Sequence, residues 1–139
     1  MVDIIKLLKE KGFKVTPQRI AVYETLRNTK EHPSADILYS KLQPLYPTMS
    51  LATVYKSLEV FKELNLIQEL NVGEDKFRYD ANVKQHPHII CLKCGKVEDV
   101  YDEMLFDLQT QVKNKTGYDL VSQQLYFFGY CPGCKGKNN

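Results

Sequence analysis

No apolar run in the chain approaches the roughly 20 residues that a bilayer span requires. The first residues, Met1-Val2-Asp3-Ile4-Ile5-Lys6, lack a basic leader, a long apolar core and a small-residue cleavage site, so no secretory signal is expected. Net charge is scarce as well: 19 Lys and Arg against 17 Asp and Glu leave +2. A strong overall positive field is therefore absent, and nucleic-acid binding would have to rest on a local patch. Cysteine does not occur before Cys91, and histidine occurs only three times. With 139 residues, the chain has room for one ordinary domain or two very small ones, and too little for a large multi-domain enzyme. A content of 43% hydrophobic and 26% charged residues is that of a folded chain and not a disordered one. The expectation is a soluble cytoplasmic protein.

The charge that is present is unevenly placed. Residues 1–30 hold Lys6, Lys9, Lys11, Lys14, Arg19, Arg27 and Lys30 against Asp3, Glu10 and Glu24. Such a cluster can be a solvated helix surface as well as a phosphate-binding one. In the same half, Ile4, Ile5, Leu7 and Leu8 have helical spacing before Gly12. Thr16-Pro17 reads as N-cap and first helical residue of a second helix, to about Asn28. Ser34 caps a third, with Ile37, Leu38 and Leu42 inward, and Ser50 caps a fourth through about Leu64. Leu66–Leu70 and Phe77–Asp80 read as short strands around a turn. Short helices followed by a hairpin are the pattern of a winged helix-turn-helix, in which Leu51–Leu64 would enter the major groove.

Residues 81–87 lack periodicity and read as a linker. This divides the chain into a winged-helix domain over 1–80 and a second domain over 88–139. In the second, His88–Leu92 and Val97–Tyr101 look like strands, Glu103–Lys115 like a helix with Met104, Leu105, Leu108 and Val112 on one face, and Asp119–Tyr130 like a third strand. The fold class expected is α+β: an N-terminal winged helix-turn-helix and a small C-terminal α/β unit. A unit near 55 residues is marginal alone and usually needs a metal, a disulfide or a partner chain.

All four cysteines fall there, as Cys91-x-x-Cys94 and Cys131-x-x-Cys134, each on a tight turn. Two such knuckles can present four thiolates to one Zn²⁺, a closed and therefore structural site. Two disulfides are the rival, disfavoured in a cytosolic chain. A redox pair would need a strand-to-helix junction that neither hairpin end supplies.

His86-Pro87-His88 puts two imidazoles on one face of an extended segment. Asp99 lies within a hairpin's reach, and Asp80 ends the wing. With His32, these make three imidazoles and two carboxylates, a mixed nitrogen and oxygen set suited to Fe²⁺, Mn²⁺ or Zn²⁺. Spacing alone does not bring in His32 and Asp80, and a loop histidine such as His32 is more commonly a surface or capping residue.

Several segments, in order along the chain, resemble the ferric uptake regulator family of bacterial metal-dependent repressors. They are residues 12–19 (Gly12 to Arg19), His32-Pro33-Ser34-Ala35, residues 50–58 (Ser50 to Leu58), Arg78-Tyr79-Asp80, residues 86–99 (His86 to Asp99) and Cys131-Pro132-Gly133-Cys134. The resemblance implies a winged-helix DNA-binding domain followed by a dimerisation domain, and a homodimer on palindromic double-stranded operator DNA. It implies one structural Zn²⁺ per chain on Cys91, Cys94, Cys131 and Cys134. It also implies one regulatory Fe²⁺ or Mn²⁺ per chain on His32, Asp80, His86, His88 and Asp99. Operator contacts are implied for Tyr55 and Lys56, with Lys14 in the minor groove and Arg19 and Thr53 also on the DNA-binding side.

Within the family the chain looks most like the peroxide-sensing regulators (PerR). Gln85 precedes His86, Pro87 intervenes, no histidine follows His88, and Asp99 stands where iron sensors usually carry Glu. That subgroup implies sensing by oxidation of a ligand histidine, His32 or His86, to 2-oxo-histidine. Lys56 departs from the arginine of many relatives, and lysine cannot make a planar bidentate contact. Other readings are an iron- or manganese-responsive repressor of the same scaffold, a thiol switch at the four cysteines, and a hydrolase at the His/Asp set. The last lacks a separate general base.

Overall fold

The computed structural model describes residues 3–73, 76–83, 86–101 and 107–136. The chain divides into two compact units, Met1–Val83 and Lys84–Asn139. No helix among the described residues is long and apolar enough to cross a membrane.

The first unit begins with α1 (Ile4–Glu10), α2 (Pro17–Arg27), α3 (Ala35–Leu42) and α4 (Leu51–Glu63). Each starts where a short polar side chain can satisfy an orphan amide. Asp3 accepts from the Lys6 amide, Thr16 from Arg19, Ser34 from Ile37 and Ser50 from Thr53. Pro17 occupies the first turn of α2, where its missing N–H costs nothing. Leu8, Val22, Leu26, Leu38, Val54, Leu58 and Phe61 form the core. Tyr23 meets Phe61 edge-on, ring centroids 5.4 Å apart.

After α4, Asn65 takes a left-handed turn (φ 57°) into β1 (Gln68–Leu70), which pairs antiparallel with β2 (Arg78–Asp80). Strand β1 is shorter than the sequence predicts, because Leu66 and Ile67 are drawn into the helical core. Helices α3 and α4 with this hairpin make a winged helix-turn-helix.

The second unit holds β3 (His88–Cys91), β4 (Val97–Asp99), α5 (Leu108–Thr116) and β5 (Tyr126–Gly129). The sheet order is β4-β3-β5, with β3 antiparallel to β4 and parallel to β5. Two sequence expectations are corrected. The third strand is Tyr126–Gly129 and not Asp119–Tyr130, because β3 offers only four ladder partners, His88 to Cys91. The second strand is Val97–Asp99 and not Val97–Tyr101, because its ladder ends where Asp99 meets His88, the first residue of β3. Helix α5 buries no residue. Its expected earlier part, including Met104 and Leu105, lies outside the described residues. Gly117, at φ 74°, closes α5, a conformation that glycine adopts without Cβ strain.

Candidate functional site

The parallel pairing of β3 with β5 sets Cys91 beside Gly129, so the chain leaves β5 next to the first knuckle. The Leu92 amide donates to the Gly129 carbonyl at 2.7 Å and fastens the two ends together. Gly95 (φ 76°) turns the first knuckle, where its amide donates to the Cys91 carbonyl at 3.0 Å. In the second, the Cys134 amide donates to the Cys131 carbonyl at 2.9 Å. The four Sγ atoms consequently lie within 4.8 Å of one another.

Cys94 and Cys131 are 3.9 Å apart at sulfur. That is far beyond a disulfide bond of roughly 2.05 Å. It is close to the roughly 3.8 Å edge of a sulfur tetrahedron with Zn–S bonds near 2.3 Å. Cys91 Sγ accepts the amides of Cys94 (3.5 Å) and Cys131 (3.4 Å). These two N–H groups stabilise its thiolate and bring the thiol down to about 6. Cys134 is pushed up to about 12, first by its hydrogen bond with Cys131 and then by burial. One sulfur is thus primed to be anionic beside three further sulfurs, a donor set that fits a thiophilic cation.

The imidazole and carboxylate residues fall into two groups, one in each unit. In the first unit, His32 Nε2 stands 3.2 Å from Asp80 Oδ2. Both are buried. His32 is a non-glycine residue in the left-handed region, φ 54°, which is uncommon outside turns and special sites. Strand β2 holds this loop: the Tyr79 amide donates to the Pro33 carbonyl at 3.0 Å, and Arg78 Nη1 donates to the His32 carbonyl at 3.0 Å. The other Asp80 oxygen accepts the Asn82 amide at 2.8 Å.

In the second unit, β-register places His88 opposite Asp99. Asp99 Oδ1 lies 2.9 Å from His86 Nε2 and 3.3 Å from His88 Nε2. The two imidazoles have centroids 4.5 Å apart. Asp99 Oδ2 accepts the Tyr101 hydroxyl at 3.1 Å, and the Tyr101 ring stacks on His86 at 5.7 Å. Two ring nitrogens and one carboxylate oxygen converging on one point, with little solvent, suit a divalent cation. Arg78 and Tyr101 were not singled out from the sequence as supporting residues; only the folded geometry reveals what they touch.

Of the expected DNA-facing residues, Arg19, Thr53 and Lys56 line one groove of about 560 Å³ with Thr16, Pro17 and Gln18. Lys14 is tied to it through its carbonyl, which accepts Arg19 Nη1 at 2.8 Å. Tyr55 is exposed on α4 and does not line the groove.

A winged helix-turn-helix followed by a small cysteine-rich α/β unit defines a class of metal-linked transcription regulators. The ferric uptake regulator family model matches residues 10–128, and the chain belongs to that family. It is 56% identical over 137 residues to the transcriptional regulator PerR of Clostridium acetobutylicum, covering 99% of both chains. Among solved structures, it resembles the Helicobacter pylori ferric uptake regulator, with a TM-score of 0.86 at 27% identity, covering 98% of this chain and 91% of that one. It also resembles the Campylobacter jejuni peroxide stress regulator, with a TM-score of 0.72 at 36% identity, covering 96% and 100%. Within the family the chain is most like the PerR regulators. It is a regulator of transcription and not an enzyme.

Proposed function

We propose that this chain is a cytoplasmic, homodimeric, metal-dependent repressor that binds palindromic operator DNA and senses peroxide. The observation that carries the reading is the convergence of His86, His88 and Asp99 in one unit, with His32 against Asp80 in the other. Residues 1–80 act as the DNA-binding domain, 81–87 as linker and 88–139 as the dimerising, metal-binding domain.

Cys91, Cys94, Cys131 and Cys134 hold one structural Zn²⁺. His32, Asp80, His86, His88 and Asp99 hold one regulatory Fe²⁺ or Mn²⁺. Because these five donors come from both units, metal occupancy favours the arrangement that operator DNA accepts. Free metal about 100-fold above its Kd supplies roughly 2.7 kcal/mol of such bias. Val112, Val121, Phe127, Phe128 and Tyr130 remain exposed in the second unit, apolar surface that a second copy would cover.

Held by these five residues, Fe²⁺ would supply redox chemistry toward hydrogen peroxide beside His32 and His86, which Mn²⁺ in the same donors would not. Asp99 presents Oδ1 to both histidines, while Tyr101 holds Oδ2 and so orients the carboxylate that would serve the metal. Peroxide would be the two-electron oxidant: one of its oxygens would enter the ring of His32 or His86 and the other would leave as water. The oxidised imidazole is a poorer donor, the metal would be released, and repression would end. The test is peptide mass spectrometry after peroxide treatment of the Fe²⁺- and Mn²⁺-loaded proteins. A gain of one oxygen on a His32 or His86 peptide is expected only with iron. Equal oxidation of both forms would refute iron-directed sensing, and no oxidation in either form would favour an iron- or manganese-responsive repressor without peroxide sensing.

At the operator, Lys14, Arg19, Thr53, Tyr55 and Lys56 make the contacts, with Lys56 as a point charge on phosphate. Lys56→Ala is expected to weaken binding about equally on specific and unrelated duplexes. The slope of log affinity against log salt should fall by about 1, read from fluorescence anisotropy. A loss confined to the operator sequence would make Lys56 a base reader.

A further inference from the structure

We propose that Arg78 is a positioning residue that holds the ligand His32 in place and ties it to the wing. The inference rests on the metal role of His32 given above. Three consecutive residues of β2 act on one two-residue loop. Arg78 Nη1 donates to the His32 carbonyl at 3.0 Å. The Tyr79 amide donates to the Pro33 carbonyl at 3.0 Å. Asp80 Oδ2 faces the His32 ring at 3.2 Å.

The loop needs this hold. His32 has φ 54°, a left-handed conformation uncommon for a residue with a Cβ, and contacts around it favour keeping it there. Its neighbour Pro33 has no amide N–H to donate, so the carbonyls of residues 32 and 33 carry the attachment to β2. The guanidinium supplies a charge-assisted bond to the His32 carbonyl, stronger than a neutral donor would give. With that bond in place, the peptide plane after His32 is fixed and the imidazole is aimed at Asp80.

The same strand is half of the wing hairpin, since Arg78 pairs with Leu70 of β1. A shift of the wing therefore moves Arg78, the His32 loop and Asp80 together. Metal occupancy and wing position become coupled inside the first unit.

The test uses the full-length, zinc-loaded protein. Mn²⁺ affinity is measured by calorimetry and the histidine ring resonances by NMR; with three histidines, the spectrum is simple. Arg78→Ala is expected to weaken Mn²⁺ binding by about tenfold, in the range found when a residue supporting a ligand is lost. The His32 ring signals should shift while those of His86 and His88 stay. Arg78→Lys, which keeps a cationic donor, should recover much of the affinity. Should Arg78→Ala fail to fold, Arg78→Gln keeps a polar stem too short for the carbonyl and gives the same reading. Unchanged Mn²⁺ affinity overturns the inference alone, as does a loss in which all three histidines shift together. A wild-type protein that takes up no Mn²⁺ overturns the metal reading and this inference with it.

Discussion

Replacing Cys91 with serine is expected to release the zinc and unfold the second unit while the helical unit survives. Cys91 is the hub of the thiol cluster. It ends β3, accepts the amides of both Cys94 and Cys131, and is the sulfur most easily ionised. A serine oxygen is a poor zinc donor and reaches less far. The unit has little else to hold it: Ile90, Cys91 and Val97 are its buried hydrophobic residues among those described, and α5 buries none. Structural zinc supplies roughly 10–16 kcal/mol in small domains at neutral pH, more than such a core can replace. Elemental analysis should fall from one zinc per chain to near none. Circular dichroism should keep the signal of α1 to α4, and size exclusion should show loss of the dimer. A variant with full zinc and wild-type melting would mean that the four sulfurs do not form the site. Chelating the zinc from the wild type should have the same effect as the substitution.

His88→Ala is expected to abolish metal-dependent operator binding without loss of zinc. His88 is 2% exposed and stands opposite Asp99 in the β3–β4 register. Loss of a ligand costs more than the 10–100-fold typical of a residue that only supports one, so regulatory metal affinity should drop by at least about 100-fold. The knuckle lies at the far end of β3, three residues on, and its four sulfurs are untouched. Anisotropy titrations of labelled operator with Mn²⁺ check the first part, and elemental analysis checks the second. Tight operator binding that still responds to Mn²⁺ would remove His88 from the site. Zinc lost together with the metal response would show a folding defect in place of a ligand defect.

Much of this was legible in the chain itself, for local reasons. Thr16, Ser34 and Ser50 mark helix starts because their side chains accept amides three residues on, an interaction that short range settles. The Cys-x-x-Cys pairs are readable because a knuckle is a turn, and His86-Pro87-His88 because a strand puts alternate residues on one face. What escaped was set by distant partners. Residues 119–125 are aliphatic enough for a strand, yet β3 is only four residues long, and Val121 is 94% exposed. Leu108 and Val112 show helical periodicity, but nothing in the pattern says whether the chain itself or a second copy covers that face. His32 has a left-handed backbone and a carbonyl bonded by Arg78, 46 residues away, so no local pattern shows that hold. Tyr101 was the end of an expected strand, and its bond to Asp99 follows from where β4 stops.

The most direct measurement is the position of manganese in crystals of the zinc-loaded protein grown with Mn²⁺, located by anomalous scattering at the manganese edge. The expected result is one peak per chain bonded by His32, Asp80, His86, His88 and Asp99, distinct from zinc on the four sulfurs. Manganese bound elsewhere, or no peak among these five residues under conditions that restore operator binding, would contradict the regulatory site.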